Sequence, residues 1–526
     1  MPYVPPTQLT PHVTQHWQVN KPAAMGRRGM VVSQCQDAAL AGVAVLDAGG
    51  NAVDAAVATA LALAAVEPWN SGLGGIGFAL VHRAGEKRAE VVDFGPRAPA
   101  GLHAGLFKLT GKVASDLFAW PEVEGDANVH GPLSFAIPSA AAGYALMHER
   151  WGALPFRDVI APAQALARRG LPADWFTTLK IANSAAILRD YPESARIYLP
   201  NGLPPVAPYQ GRPGYFQLGA LPGTLDRLAH AGLRDLYEGD ISASIAGDSA
   251  AMGGVLSAGD LRGCEATIRD CMDVPFAHGT LQMAGGLTAS PTLVRVLELM
   301  PPFPAHPDAT WFAALAGALR TAYAERLMGL GDAEPKAAES CTTHLTVCDA
   351  EGTMVSMTTT LLSSMGSRVV LPGSGVLMNN GVMWFDPRPG QPNSVGAGKR
   401  PLTNMLPVIL RGADGAPVLA AGASGGRRIL AAVMQAVSFV AGFGMTPGEA
   451  AHHPRIDVSD ADTVHADQRL PADVLAALHA QGPTEEVEHG VVPVNFACPN
   501  LILNEGGTRN GISDVMSPWS AAVAQA

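Results

Sequence analysis

Two adjacent threonines, in the run Glu339-Ser340-Cys341-Thr342-Thr343-His344, carry the first chemical hint in this chain. A threonine hydroxyl is a poor nucleophile unless a base stands beside it. Cutting the chain before Thr342 would supply one, since a freed α-amine has a pKa near ~8, close to working pH. Thr342 would then be the nucleophile and Cys341 the last residue of the upstream piece. The competing reading makes both threonines ordinary strand residues, for which a β-branched side chain is well suited. Gly425 and Gly426 stand just before an apolar run of helical character. Glycine lets backbone approach a ligand closely, and amides at a helix start point outward with a favourable dipole, which suits an oxyanion hole. Gly-Gly before a helix is also often only a turn.

These residues need elements to bring them together. Asp37 to Asp47 reads as an amphipathic helix stopped by Gly49-Gly50. Asn51 caps a second helix, Ala52 to Val66, with Pro68 beyond its end. Gly77 to His82 and Ala89 to Asp93 read as strands. From about 140 to 330 the pattern is mainly helical, with Pro-rich breaks around Leu199–Pro213. After Thr342 the character changes. His344 to Cys348 and Met354 to Thr359 alternate like strands around the hairpin signal Asp349-Ala350-Glu351-Gly352. Such a hairpin returns Thr360 beside Thr342, although a threonine packing its methyl group is a serious competitor. Pro407 to Leu410 and Pro417 to Ala420 form another pair, and an apolar helix runs from about Arg428 to Val440. The glycines at 72, 74, 75 and 77 follow a helix and open a strand, the reverse of a dinucleotide fingerprint, so nucleotide binding is rejected.

Several blocks together resemble the gamma-glutamyltranspeptidase family, N-terminal-nucleophile hydrolases that split themselves into a large and a small subunit. The blocks are Gly29-Met30-Val31-Val32-Ser33, Asp47 to Val57, Gly72 to Phe78, Thr342-Thr343-His344, Pro372-Gly373-Ser374-Gly375, Gly398-Lys399-Arg400-Pro401-Leu402 and Gly422 to Ile429. The resemblance implies an α+β fold, a four-layer αββα sandwich, with a large subunit 1–341 and a small subunit 342–526 as halves of one domain. It implies that Thr342 is the nucleophile, that Thr360 hydrogen-bonds its hydroxyl, and that Gly425 and Gly426 form the oxyanion hole. Thr403 and Asn404 fall where the family places two small hydroxyl residues against a substrate carboxylate.

The chain departs from the family where glutamyl recognition is expected. An arginine is expected after Asp93-Phe94; here Gly95-Pro96 follows, and the nearest arginine is Arg97. The expected asparagine is Leu362. The expected glutamine is Gly381, and the acid three residues on is Trp384. A polar substrate deprived of its partners loses much of its discrimination, because its desolvated groups go unpaired. An apolar or aromatic acyl group is therefore expected, as in the cephalosporin-acylase-like branch, with substrate contacts at Arg97, Leu362, Trp384, Thr403 and Asn404.

Composition narrows the partners. A net charge of −11 argues against nucleic acid, which needs clustered Lys and Arg. No apolar run is long enough to span a bilayer, and the first thirty residues lack a signal peptide pattern. The six cysteines show no zinc or redox spacing, and His452-His453 reads as structural, so no metal or cofactor is expected. The expectation is a cytoplasmic, self-processing amidase or acylase acting on a small-molecule amide. Assembly of the processed heterodimer into a homodimer is left open. Two rivals remain: a γ-glutamyl hydrolase or transferase acting on glutathione-like substrates, and an uncleaved, non-catalytic binding protein.

Overall fold

The computed structural model describes residues 19–114, 120–330, 341–459 and 463–526. Strand alternation sets the architecture, because successive side chains point to opposite faces. Along the strand Cys341–Cys348, Leu345 and Val347 pack with the helices Gln36–Asp47 and Ala52–Val66. Cys348 instead joins Met30, Val32, Phe78, Leu80, Ile409, Ala420 and Ile502 in a core drawn from both sheets. The neighbours of these residues in sequence, Leu410, Leu419, Ala421 and Leu501, face a third apolar layer with the helices Ser290–Leu299, Ala309–Leu330, Ile429–Val437 and Ala472–Gln481.

Two antiparallel seven-stranded sheets result. The first runs, in spatial order, Ala521–Ala524, Met30–Ser33, Cys341–Cys348, Met354–Leu362, Ile76–His82, Glu90–Phe94 and Thr267–Asp270. The second runs Ala24–Gly26, Thr508–Ser513, Cys498–Glu505, Pro417–Ser424, Val408–Arg411, Gly279–Met283 and Met272–Phe276. Helices outside each sheet complete the expected αββα order.

The helix Ala52–Val66 is buried along its whole length and begins with a full capping box between Asn51 and Asp54. It ends at Glu67, just before Pro68, and so delivers a carboxylate into the core. The apolar helix near 430 is Ile429–Val437, which runs on into a π-helical turn, Ser438–Gly442. One stretch corrects the helical expectation for 140–330: Thr267–Asp270, Met272–Phe276 and Gly279–Met283 are strands. No helix among the described residues is long and apolar enough to cross a membrane.

Candidate active site

Thr342 is the second residue of the strand Cys341–Cys348, at an irregular point in the ladder. Cys341 pairs with Leu362 and Thr343 with Thr359, so the register shifts between them. Such irregularities bend a strand and re-aim its side chains. Thr342 is 4% exposed. Its Oγ1 lies 3.2 Å from Oγ1 of Thr360, the contact expected from the hairpin. Thr360 Oγ1 also accepts the backbone N–H of Leu362 at 2.8 Å. Leu362 has a φ of 85°, a left-handed conformation that is costly for a bulky L-residue. The chain thus leaves the strand just beyond Thr360 through a strained backbone that Thr360 itself helps to hold.

Thr343 points to the opposite side of the strand and reveals a group that sequence spacing did not. Its hydroxyl donates to Glu67 Oε2 at 2.8 Å, while Asn70 Nδ2 donates to Glu67 Oε1 at 2.8 Å. Gln34 lies 3.5 Å from the Thr343 hydroxyl through its Oε1, and its amide nitrogen donates to Ser424 Oγ. Burial pushes the Glu67 carboxyl up to about 7, despite the hydrogen bonds from Thr343 and Asn70 and the nearby charge of Lys180. Ser424 ends its strand in the second sheet, so this polar chain links the two sheets behind Thr342. The one available signal was a lone acid and an asparagine, Glu67 and Asn70, closing a long apolar run. Their partners lie hundreds of residues away in sequence, which local spacing cannot show.

Gly425 follows directly, at φ 136°, and Gly426 has φ 58°. A Cβ at Gly425 would sit 2.7 Å from Ala497 Cβ, so both conformation and space require glycine there. Neither amide has an acceptor among the described residues. Two unclaimed N–H groups at a helix start can receive a developing oxyanion. His344, the third member of the Thr-Thr-His block, has a different job. Its ring lies between the sheets against Gly422, where a Cβ would overlap it, and Nδ1 is 2.9 Å from Thr358 Oγ1. Burial lowers its pKa to about 3, so it stays neutral and fills space.

Thr342 and Gly425 line one cavity. The rest of its wall includes Gln34, Glu67, Asn70, Lys180, Arg428 and Phe496. None of the five expected substrate contacts is among its lining residues. Leu362 and Trp384 are buried in the inter-sheet core with Met383 and Met405. Thr403 is buried, and its hydroxyl donates to the Leu287 carbonyl at 3.0 Å. Arg326 Nη2 donates to the Thr403 carbonyl at 2.7 Å and to Asn404 Oδ1 at 3.2 Å. Arg97 is exposed and donates to the Gly398 carbonyl at 3.0 Å. Its loop is pinned to the Lys399-Arg400 block by Asp93, which Arg400 grips through both carboxylate oxygens and Arg269 joins at 3.0 Å. The structure thus gathers Thr342, Thr360 and Gly425 at one point, with Leu362 bonded to Thr360, and keeps Arg97 on an outer loop. Residues 331–340, between the helix Ala309–Leu330 and Cys341, lie outside the described residues. No group of three or more potential metal ligands occurs among the described residues.

The chain is 29% identical to the acylase ACY 1 proenzyme of Pseudomonas sp. (strain V22), over 90% of this chain and 89% of that protein. It is 28% identical to the glutathione hydrolase proenzyme of Bacillus subtilis (strain 168), over 94% of this chain and 91% of that one. The crystal structure of cephalosporin acylase from Bacillus halodurans superposes with a TM-score of 0.83 at 21% identity, covering 98% of this chain and 99% of that one, a likeness of fold. The model of the family described as gamma-glutamyltranspeptidase matches residues 38–341 and 332–523, and the chain therefore belongs to the gamma-glutamyltranspeptidase family.

Proposed function

We propose that this enzyme, an amide-bond hydrolase or acyltransferase of its family, cleaves itself between Cys341 and Thr342 and then works through Thr342 with an acyl group other than γ-glutamyl. The observation that carries the reading is the 3.2 Å contact between the Thr342 and Thr360 hydroxyls, at the edge of a cavity that also holds Gly425. In the reaction, the Thr342 hydroxyl adds to the amide carbonyl and its proton passes to the free α-amine of the same residue. The carbonyl oxygen becomes an oxyanion facing the amides of Gly425 and Gly426. The C–N bond breaks, the amine leaves with the proton, and water or a second amine releases the acyl group from Thr342. The acyl preference is supported by Leu362 and Trp384, which stand where polar recognition groups are expected and are packed in the inter-sheet core. Neither offers a partner to the two charges of a glutamyl head. The similarity to an acylase proenzyme points the same way. Five described cysteines, all unpaired, fit a cytoplasmic setting.

A denaturing gel with N-terminal sequencing tests the first half. Wild type is expected to give two pieces, residues 1–341 and 342–526, while Thr342→Ala stays whole. An intact wild type that still hydrolyses amides would show that no terminal amine is used. A panel of anilides tests the second half. Neutral acyl anilides are expected to outrun a γ-glutamyl anilide of similar length by about tenfold or more, the scale of one unpaired polar group. A γ-glutamyl preference lost in Arg97→Ala would instead make this a γ-glutamyl enzyme.

A further inference from the structure

Self-cleavage meets a difficulty that later turnover does not. The α-amine that serves as base in turnover is still part of the Cys341–Thr342 peptide bond, so the first reaction needs a base from elsewhere in the chain. Among the described residues, the cavity at Thr342 offers few. Lys180 and Arg428 bring positive charge to its wall. Asp514 accepts from Arg455 at 2.7 Å and faces His489 at 3.4 Å. Although burial opposes them, His489 and Arg455 hold the Asp514 carboxyl far below the usual carboxylate range. His489 Nε2 is engaged by the same pair, 3.2 Å from Arg455. Burial pushes the Cys498 thiol up to about 12, and burial together with the charge of Glu67 raises Cys35 as well.

Glu67 is the acid that remains. It reaches the wall from the end of the helix Ala52–Val66. Its two oxygens accept from the Thr343 hydroxyl and the Asn70 amide, each at 2.8 Å. Thr343 directly follows Thr342, so this carboxylate is tied to the chain one residue beyond the bond to be cut. Both partners donate, which suits the ionised form and leaves its oxygens spare capacity for a proton. Burial raises the carboxyl to about 7, against those two hydrogen bonds and the charge of Lys180. A basicity near working pH is what a general base needs.

We propose that Glu67 is the base of self-cleavage, taking the Thr342 hydroxyl proton across the cavity that both residues line. The proposal rests on the reading of Thr342 as nucleophile. Oγ1 of Thr342 adds to the Cys341 carbonyl carbon as its proton moves to Glu67. The C–N bond then breaks, and the proton passes from Glu67 to the departing nitrogen, which becomes the α-amine. Water hydrolyses the resulting ester, which frees the Cys341 carboxylate and restores the Thr342 hydroxyl. Glu67 ends ionised, as it began, and the amine is in place for turnover.

Cell-free synthesis of the full chain, with a labelled pulse and a chase at set pH, reads the cleavage rate on a denaturing gel. The wild-type rate is expected to rise with pH through about 7, as Glu67 ionises, and then to level off. Glu67→Gln keeps the shape and is expected to cleave about a hundredfold or more slowly, the scale of one general base, without that rise. Glu67→Asp keeps a carboxylate and should cleave faster than Glu67→Gln, with the rise retained. Lys180→Met removes a charge that favours ionised Glu67, so the rise should move to higher pH. Glu67→Gln cleaving at the wild-type rate, or slowly but with the wild-type rise intact, overturns the proposal, and so does Glu67→Asp no faster than Glu67→Gln. A wild-type chain that stays uncut at every pH would instead sink the assignment of Thr342.

Discussion

Valine at position 360 would keep the shape of threonine and remove its hydroxyl, yet the fold would feel the change too. The Leu362 N–H uses that oxygen as its acceptor at 2.8 Å, and a buried amide left without one costs about 1–3 kcal/mol. Thr360→Val is therefore expected to lower the melting temperature as well as slow processing and turnover by about tenfold or more, the scale of one catalytic hydrogen bond. Thr360→Ser retains the oxygen and should restore both. Rescue of stability without rescue of rate would mean that Thr360 serves only the turn. Glu67 gives a pH test. Its folded pKa is raised from 4.5 to about 7, chiefly by burial, so its contribution to stability is fully present below 4.5 and is lost as pH rises through about 7. Unfolding free energies of wild type and Glu67→Gln should thus diverge across that window, with the wild type falling relative to the variant by about 3 kcal/mol at most. Parallel curves would show that Glu67 is ionised throughout.

At the level of elements, local pattern revealed most of what surrounds Thr342. The capped helix Ala52–Val66, the hairpin of Cys341–Cys348 with Met354–Leu362, and the pair Val408–Arg411 with Pro417–Ser424 all carry strong periodicity and turn signals. Thr360 could be placed beside Thr342 because the connecting turn fixes the register. The strands Thr267–Asp270 and Met272–Phe276 escaped because each is the edge strand of its sheet. Apart from Phe276 their side chains are half-buried or exposed, and Pro275 sits among them, as edge strands tolerate. The hairpin Cys498–Glu505 with Thr508–Ser513 also went unread, although Gly506-Gly507 marks its turn. Gly422 shows another limit. Its need to be glycine comes from the His344 ring on the opposite sheet, which no local window contains. Lys180 and Gln34 reach the site through tertiary contact alone, so the cavity beside Thr342 was the part of the site least visible in the sequence.

At the level of the whole molecule, the two sheets interleave what the proposed cut would separate. In the first sheet, Cys341–Cys348, Met354–Leu362 and Ala521–Ala524 alternate in space with strands from the upstream piece, such as Met30–Ser33 and Ile76–His82. In the second, four strands from the downstream piece are flanked by Ala24–Gly26 on one side and Gly279–Met283 on the other. Neither piece has a complete sheet of its own. The uncut chain can search for these pairings as one molecule, but the cut pieces must first collide, each with unpaired strand edges that favour aggregation. Self-cleavage would therefore act as a ratchet: the fold is reached once, as a precursor, and afterwards persists only because unfolding is slow. Dilution from denaturant should recover far more of Thr342→Ala than of the cut wild type, and only the wild type's yield should depend on protein concentration. Equal recovery of both would mean that the pieces carry enough information to reassemble, and that the break in the chain leaves no memory in the energy landscape.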